Sequence, residues 1–181
     1  MKTYISMLRG INVGGHNLIN MKDLKQMYEA MKFKNVRTYL QSGNVVFSYN
    51  DLPDSKISGM IEKQIEKSFG LIISVIIRNT QELEKIIASN PFLKKGKYDF
   101  AKIAVLFLND LPDKELAASL QNPSANSDEF YISGKEIYLN CPDGLGRTKL
   151  NSNFFERKLK LITTGRNWNT ICALFEMGKE K

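Results

Sequence analysis

The chain has 181 residues, 43% of them hydrophobic and 25% charged, with 26 Lys and Arg against 19 Asp and Glu for a net charge of +7. These are ordinary values for a globular protein of one large or two small domains with a real core. No apolar run approaches the roughly 20 residues of a membrane span, so no membrane partner is expected. The positive excess favours anionic partners such as phosphates, nucleotides, nucleic acid or an acidic protein, and it also serves solubility.

Thr3 to Leu8 reads as a strand. The stretch Leu8-Arg9-Gly10-Ile11-Asn12-Val13-Gly14-Gly15-His16-Asn17 follows, with three glycines, two asparagines, one arginine and the only histidine of the chain. So few core-forming side chains at the open end of a strand point to backbone N–H groups, a guanidinium and amides arranged for an anion or polar ligand. Gly10, Gly14 and Gly15 do not have the spacing of a dinucleotide-binding fingerprint. Asn20 is a good N-cap for an amphipathic helix over 21–32, with Asp23 in its first turn.

Val36–Leu40 and Val45–Ser48 predict a hairpin turning at Gln41-Ser42-Gly43-Asn44. Asp54 is expected to cap the next helix, whose apolar positions are Ile57, Met60, Ile61, Ile65 and Phe69, with Gly70 as its stop. Leu71–Ile77 reads as an interior strand. The order β-α-β-β-α-β is the split-βαβ, ferredoxin-like pattern, an antiparallel sheet with two helices on one face. A helix over Thr80–Ala88 and a polar Lys-Lys-Gly-Lys linker at 94–97 follow.

The second half repeats the order in outline: a strand over Ile103–Leu108, a helix over Asp113–Leu120, and a hairpin of Phe130–Ser133 and Ile137–Cys141. A further helix is expected at about Asn151–Leu161, and a last one at about Asn167–Met177 with Trp168, Ile171, Cys172 and Phe175 on its buried face. No letters match between the halves, so a duplication rests on element order alone. The expected organisation is a first half over 1–79, a connecting helix and linker over 80–98, and a second half with a C-terminal helix over 99–181.

Chemistry is sought in the polar segments between elements. Ser42 and Asn44 sit in a turn; Ser42 lacks a nucleophile elbow and only His16 could activate it, which argues against a serine hydrolase. In Pro142–Lys149, Gly144, Gly146, Arg147 and Lys149 run from a strand end towards a helix and suit a phosphate or carboxylate, although the spacing is not that of an NTPase loop. Within Thr163–Thr170, Asn167 and Trp168 have structural roles as cap and anchor, which leaves Arg166 as a ligand candidate. One histidine and two distant cysteines, Cys141 and Cys172, give no zinc or iron ligand set, and the thiols read as those of a reduced, cytoplasmic protein. A Mg²⁺ carried in by a phosphate ligand is compatible with this, and the sequence leaves the cofactor unknown. Single strands of nucleic acid would require outward aromatics, for which Tyr4, Tyr39 and Phe47 are the candidates by position.

Four blocks, RGINVGG at 9–15, YLQSGNVVF at 39–47, DGLGRTKL at 143–150 and TGRNWNT at 164–170, resemble the signature blocks of the bacterial domain-of-unknown-function family 1697. Thr148 replaces an expected serine and Gly165 an expected alanine. The resemblance implies an α+β protein of two ferredoxin-like halves and carries no catalytic assignment. The function expected from the sequence is binding of an anionic or phosphate-bearing small ligand between the halves. The ligand-binding residues would be Arg9, Gly10, Asn12, Gly14, Gly15, Ser42, Asn44, Gly144, Gly146, Arg147, Lys149 and Arg166. A nucleic-acid-binding module and a protein-interaction domain are the alternatives.

Overall fold

The computed structural model describes residues 1–93, 99–123 and 127–180. The chain divides into two compact units, Met1–Glu84 with Ala173–Lys181, and Lys85–Cys172. Each holds a four-stranded antiparallel sheet, so the protein is α+β with two ferredoxin-like halves. The linker expected at 94–97 lies outside the described residues.

The first sheet has the order β2-β3-β1-β4. Its strands are β1 (Lys2–Leu8), β2 (Lys34–Tyr39), β3 (Asn44–Tyr49) and β4 (Val75–Asn79), with helices α1 (Met21–Ala30) and α2 (Asp54–Phe69) between them. Tyr4 and Leu8 of β1 and Phe47 of β3 bury themselves with Leu24 and Tyr28 of α1 and with Ile57, Ile61 and Ile65 of α2. Phe33 stacks on Phe47 at 4.5 Å between ring centres, and Tyr28 meets Phe47 edge-on. Tyr4 and Phe47 are therefore core residues and offer no platform to a nucleic acid base.

The Asn20 side chain caps α1 by accepting from the Lys22 N–H at 2.8 Å, as its sequence predicts. Three expectations for this half need correction. The N-cap of α2 is Pro53, without a side-chain hydrogen bond, and Asp54 is already the first helical residue. Met60 is exposed because the buried stripe runs strictly i, i+4 through Ile57, Ile61 and Ile65. The run Leu71–Ile77 is also not an interior strand. It enters the sheet only at Val75, as an outer strand, and Ile72 is 90% exposed.

The second sheet has the order β6-β7-β5-β8. Helix α3 (Thr80–Ala88) follows β4 directly; a short 3-10 turn, Phe100–Lys102, then leads into β5 (Ile103–Leu108), and α4 (Lys114–Ala118), β6 (Glu129–Ser133), β7 (Glu136–Asn140), α5 (Ser152–Leu159), β8 (Thr163–Asn167) and α6 (Trp168–Lys179) complete the chain order. All six residues of β5 are buried. Ala104, Leu106 and Leu108 of β5 pack with Phe155 and Leu159 of α5. The segment 163–167, expected as a polar loop, is strand β8, and the buried face of α6 uses Leu174 where Cys172 and Phe175 were expected.

The two halves share one frame down to individual hydrogen bonds. The Leu8 and Arg9 N–H groups donate to the Gly43 and Ser74 carbonyls, and those of Leu108 and Asn109 donate to the Lys135 and Ile162 carbonyls. A helix carboxylate receives the first N–H of the outer strand in both: Glu62 from Val75 at 2.8 Å, and Glu156 from Thr163 at 2.8 Å. Buried Arg78 and Arg166 then occupy the same strand position. Each precedes an asparagine whose Oδ1 accepts from the helix that follows, Asn79 from Glu82 and Asn167 from Thr170. The letters Arg-Asn thus do recur between the halves, a match that becomes visible once the strands are aligned.

Candidate functional site

In the first unit the chain from Arg9 to Asn20 turns back on itself through an unusual number of left-handed residues. Gly10, Gly14 and Gly15 have φ of 67°, 59° and 78°, and Asn12 and Asn17 have φ of 54° and 48°. Gly14 and Gly15 are the central residues of a tight hairpin turn, closed by the His16 N–H on the Val13 carbonyl at 3.0 Å and the Asn12 N–H on the Asn17 carbonyl at 3.2 Å, which leaves their own N–H groups outside the ladder. The N–H groups of Gly10, Gly14 and Gly15 donate to no acceptor among the described residues. All three glycines are exposed, and Arg9 is half-buried beside them.

Asn12 holds the loop in this shape. Its Nδ2 donates to the Ile19 carbonyl at 2.9 Å and to the Gln41 carbonyl at 2.8 Å, while its Oδ1 accepts from the Ile19 N–H at 2.9 Å. Asn17 Nδ2 closes the loop onto the Gly10 carbonyl at 3.1 Å. The hairpin at 40–43 is fixed by Asn44, fully buried, whose Nδ2 donates to the Tyr39 carbonyl at 3.1 Å and to Ser42 Oγ at 2.9 Å. Gly43 is required here, because a Cβ would fall 2.7 Å from Leu8 Cβ and 2.8 Å from Ile11 Cδ1 at a φ of 72°. Of the residues singled out in the sequence, Arg9, Gly10, Asn12, Gly14, Gly15, Ser42 and Asn44 therefore meet at one end of the first sheet. Asn12 and Asn44 act as clamps within it.

In the second unit Gly144, Gly146, Arg147 and Lys149 share one loop between β7 and α5. The Gly144 N–H donates to the Cys141 carbonyl at 2.9 Å and the Arg147 N–H to the Gly144 carbonyl at 3.1 Å. Gly146, Arg147 and Lys149 are exposed. Lys102 Nζ lies 3.9 Å from where a Gly144 Cβ would stand, so a third cation borders the loop. The sequence offers no signal for Lys102, which only becomes a neighbour when β5 pairs with β7. Thr148 Oγ1 accepts from the Leu150 N–H at 3.0 Å, so this hydroxyl has a structural task. The Cys141 thiol beside it is buried, and burial pushes its pKa up.

Arg166 lies not on this loop but on β8, paired in register with Val105 of β5. It is 8% exposed on β8, and its Nη1 donates to Thr164 Oγ1 at 2.9 Å and to the Gly165 carbonyl at 2.7 Å. Burial lowers its pKa to about 10, which still leaves it charged at neutral pH. A buried guanidinium bonded to its own strand is in the position of a framework group, as Arg78 is in the first unit.

A polar cavity of about 630 Å³ in the first unit was not legible in the sequence. Lys2, Asp51, Asn79, Thr80 and Gln81 line it at the opposite end of the sheet from the glycine loop. The only cue to it is the Asn-x-x-Glu capping box at Asn79 and Glu82. Among the described residues no group of three or more His, Cys, Asp or Glu is placed to hold a metal. No described helix is long and apolar enough to cross a membrane.

The connections around the two frames differ most at three places: at the two glycine loops, and between α4 and β6, where 119–128 stand against 31–33 in the first unit. The second unit links β5 to α4 through residues 109–113, whereas the first takes 9–20 for the equivalent step. The first unit links β3 to α2 through 50–53, whereas the second takes 141–151. In each case the longer connection is more than twice the shorter.

Comparison with known proteins agrees with this architecture. The model of a family described as "Protein of unknown function (DUF1697)" matches residues 1–138. A solved structure, that of conserved bacterial protein SP0830 from Streptococcus pneumoniae, is similar with a TM-score of 0.77 and 22% identity, over 98% of this chain and 99% of that one. No curated protein matches the chain.

Proposed function

Because the chain belongs to the DUF1697 family, whose description names no activity, we propose a function from the geometry: binding of an anionic or phosphate-bearing small ligand by the loop Arg9–Asn17. The observation that carries this is the excess length of that loop over its counterpart at 109–113. The shared frame closes the same step with far fewer residues, so beyond Ile11 and Ile19, which pack in the core, and Asn12, which clamps the loop, the additional ones are not required by the frame. They supply exposed N–H groups on a left-handed backbone next to a guanidinium, the equipment of an oxyanion site. The loop of Gly144, Gly146, Arg147 and Lys149, with Lys102 at its border, is the corresponding addition in the second unit. It offers cations and turn N–H groups to the same class of ligand.

Binding by such loops is positional and electrostatic. Among the described residues no hydrogen-bonded nucleophile–base pair is recorded beside either of them, so catalysis here would work by holding and stabilising charge. The test is a thermal-shift panel of inorganic phosphate, nucleotides and sugar phosphates on the wild type, Arg9→Ala and Arg147→Ala. A ligand at a hundred times its Kd stabilises by about 2.7 kcal/mol, a readily measured shift. The expected result is stabilisation of the wild type by at least one phosphate compound and its loss in Arg9→Ala. Stabilisation that survives unchanged in both variants would remove these loops as the site. Affinity only for mixed oligonucleotides, falling steeply with salt, would favour a nucleic-acid role instead.

A further inference from the structure

Strands β2 and β6 end the two sheets in equivalent positions, and the chain treats their outer sides differently. An outer strand is a template for another chain unless something blocks it. The register of β2 breaks between Lys34 and Arg37, Asn35 in the break has a φ of 52°, and two cations lie along the strand. Arg37 also donates to the Met177 carbonyl and the Glu180 carboxylate, which places the end of the chain against this edge. Strand β6 has none of these devices. Glu129–Ser133 pairs with Glu136–Asn140 without a break and contains no proline, lysine or arginine. Among the described residues no strand pairs with its outer side. Next to it lies an apolar groove of about 700 Å³, lined by Leu111, Pro112, Ala117, Phe130 and Ile132 among others. Leu111 is 63% and Tyr131 53% exposed.

We propose that the outer edge of β6 is a self-association surface that takes β6 of a second copy in antiparallel register. The register follows from the hairpin. The two-residue turn Gly134-Lys135 makes Ser133 and Glu136 a pair that exchanges both backbone bonds. Alternation then turns the backbone groups of Tyr131 and Glu129 inward to β7, and those of Phe130 and Ile132 outward. A two-fold axis through Tyr131 sets Phe130 opposite Ile132 of the second copy, so that each outward group finds its complement. Tyr131 then faces its own mate and Glu129 faces Ser133. No like charges oppose, and the half-buried Phe130 and Ile132 gain the cover that the groove lacks. Backbone pairing of this kind is open to any edge strand; the side chains point to a second copy, because aromatic meets aromatic at Tyr131 and apolar meets apolar at Phe130 and Ile132. A five-residue strand with one flanking groove falls short of the roughly 1,200 Å² of a standard interface, so association is concentration-dependent.

Sedimentation velocity from about 1 µM to about 500 µM tests this, a range that spans Kd values of weak dimers. The wild type shifts from monomer to dimer across it. Tyr131→Lys and Tyr131→Glu, at a site exposed in the monomer, each remain monomeric with unchanged circular dichroism and melting temperature. An equimolar mixture of the two variants regenerates a dimer, because opposite charges now meet at the axis. A wild type that stays monomeric throughout overturns the proposal. A dimer that persists in both single variants, or fails to return in the mixture, overturns it equally.

Discussion

Asn12 gives the sharpest test of how the glycine loop keeps its shape. Its amide donates to the Ile19 and Gln41 carbonyls and accepts from the Ile19 N–H, all between 2.8 and 2.9 Å. Each such bond is worth about 1 kcal/mol net, and water recovers part of that where the loop is exposed. Alanine at a φ of 54° adds roughly 1 kcal/mol of backbone strain. Asn12→Ala is therefore expected to cost about 2–3 kcal/mol. Asn12→Gly loses the same bonds without the strain and is expected to cost less. Asn12→Asp is expected to cost the most, although it keeps the size and one acceptor. It cannot donate, and its carboxylate faces two carbonyl oxygens.

Trp168, the only tryptophan, lies in the other unit, so its fluorescence is a poor probe of this loop. Denaturant unfolding followed by the near-ultraviolet circular dichroism of the tyrosines reports the order of the variants. Hydrogen exchange at the Ile19 amide reports the bond itself. An Asn12→Asp protein as stable as the wild type, or an Ile19 amide equally protected in Asn12→Ala, would refute the clamp. In that event the Asn12 amide would be available to a ligand, as its sequence position suggests.

Gly43→Ala meets Leu8 and Ile11 below 3 Å at a φ of 72° and is expected to lose about 3 kcal/mol, whereas Gly10→Ala, with open space around it, loses only about 1 kcal/mol of strain. Equal denaturation midpoints for the two variants would contradict the close approach. The Tyr28 hydroxyl is fully buried against Ser6 Oγ at 2.9 Å, and burial holds its pKa well above the ordinary value of 10. The folded state keeps this proton where the unfolded chain releases it, so stability present below about pH 10 is lost as the pH rises further. Denaturation midpoints from about pH 8 to about pH 12 are expected to fall steeply, and less steeply in Tyr28→Phe.

Apolar periodicity made most of the frame legible. Ile103–Leu108 is a strand to the residue, because six buried positions in a row leave little other choice. Strand β8 escaped because Thr-Thr-Gly-Arg-Asn carries no apolar signal. Its place comes from β5, and Gly165 approaches that strand so closely that a Cβ would lie 2.7 Å from Leu106 Cδ2. The opposite error arose at Leu71–Ile77, whose apolar letters cannot say that Ile72 stays in solvent before the strand begins. Long-range pairing decided both cases, and a local pattern does not encode it.

Site residues were harder to read than the fold for a different physical reason. An asparagine in a glycine-rich loop has the same amide whether it serves a ligand or its own backbone. Asn12 and Asn44 serve the backbone, and the glycines around them keep their N–H groups exposed. The frame that the two halves share separates the two roles. Groups present in both halves, such as Glu62 with Glu156 and Arg78 with Arg166, are what the frame needs in order to fold. On a connection that only one half lengthens, groups other than those that clamp or pack it, such as Asn12 and Ile11, have no such obligation. On the function proposed above, Arg9 with its glycines, and Arg147 with Lys149, would carry the binding, and Arg166, matched by Arg78, belongs to the frame.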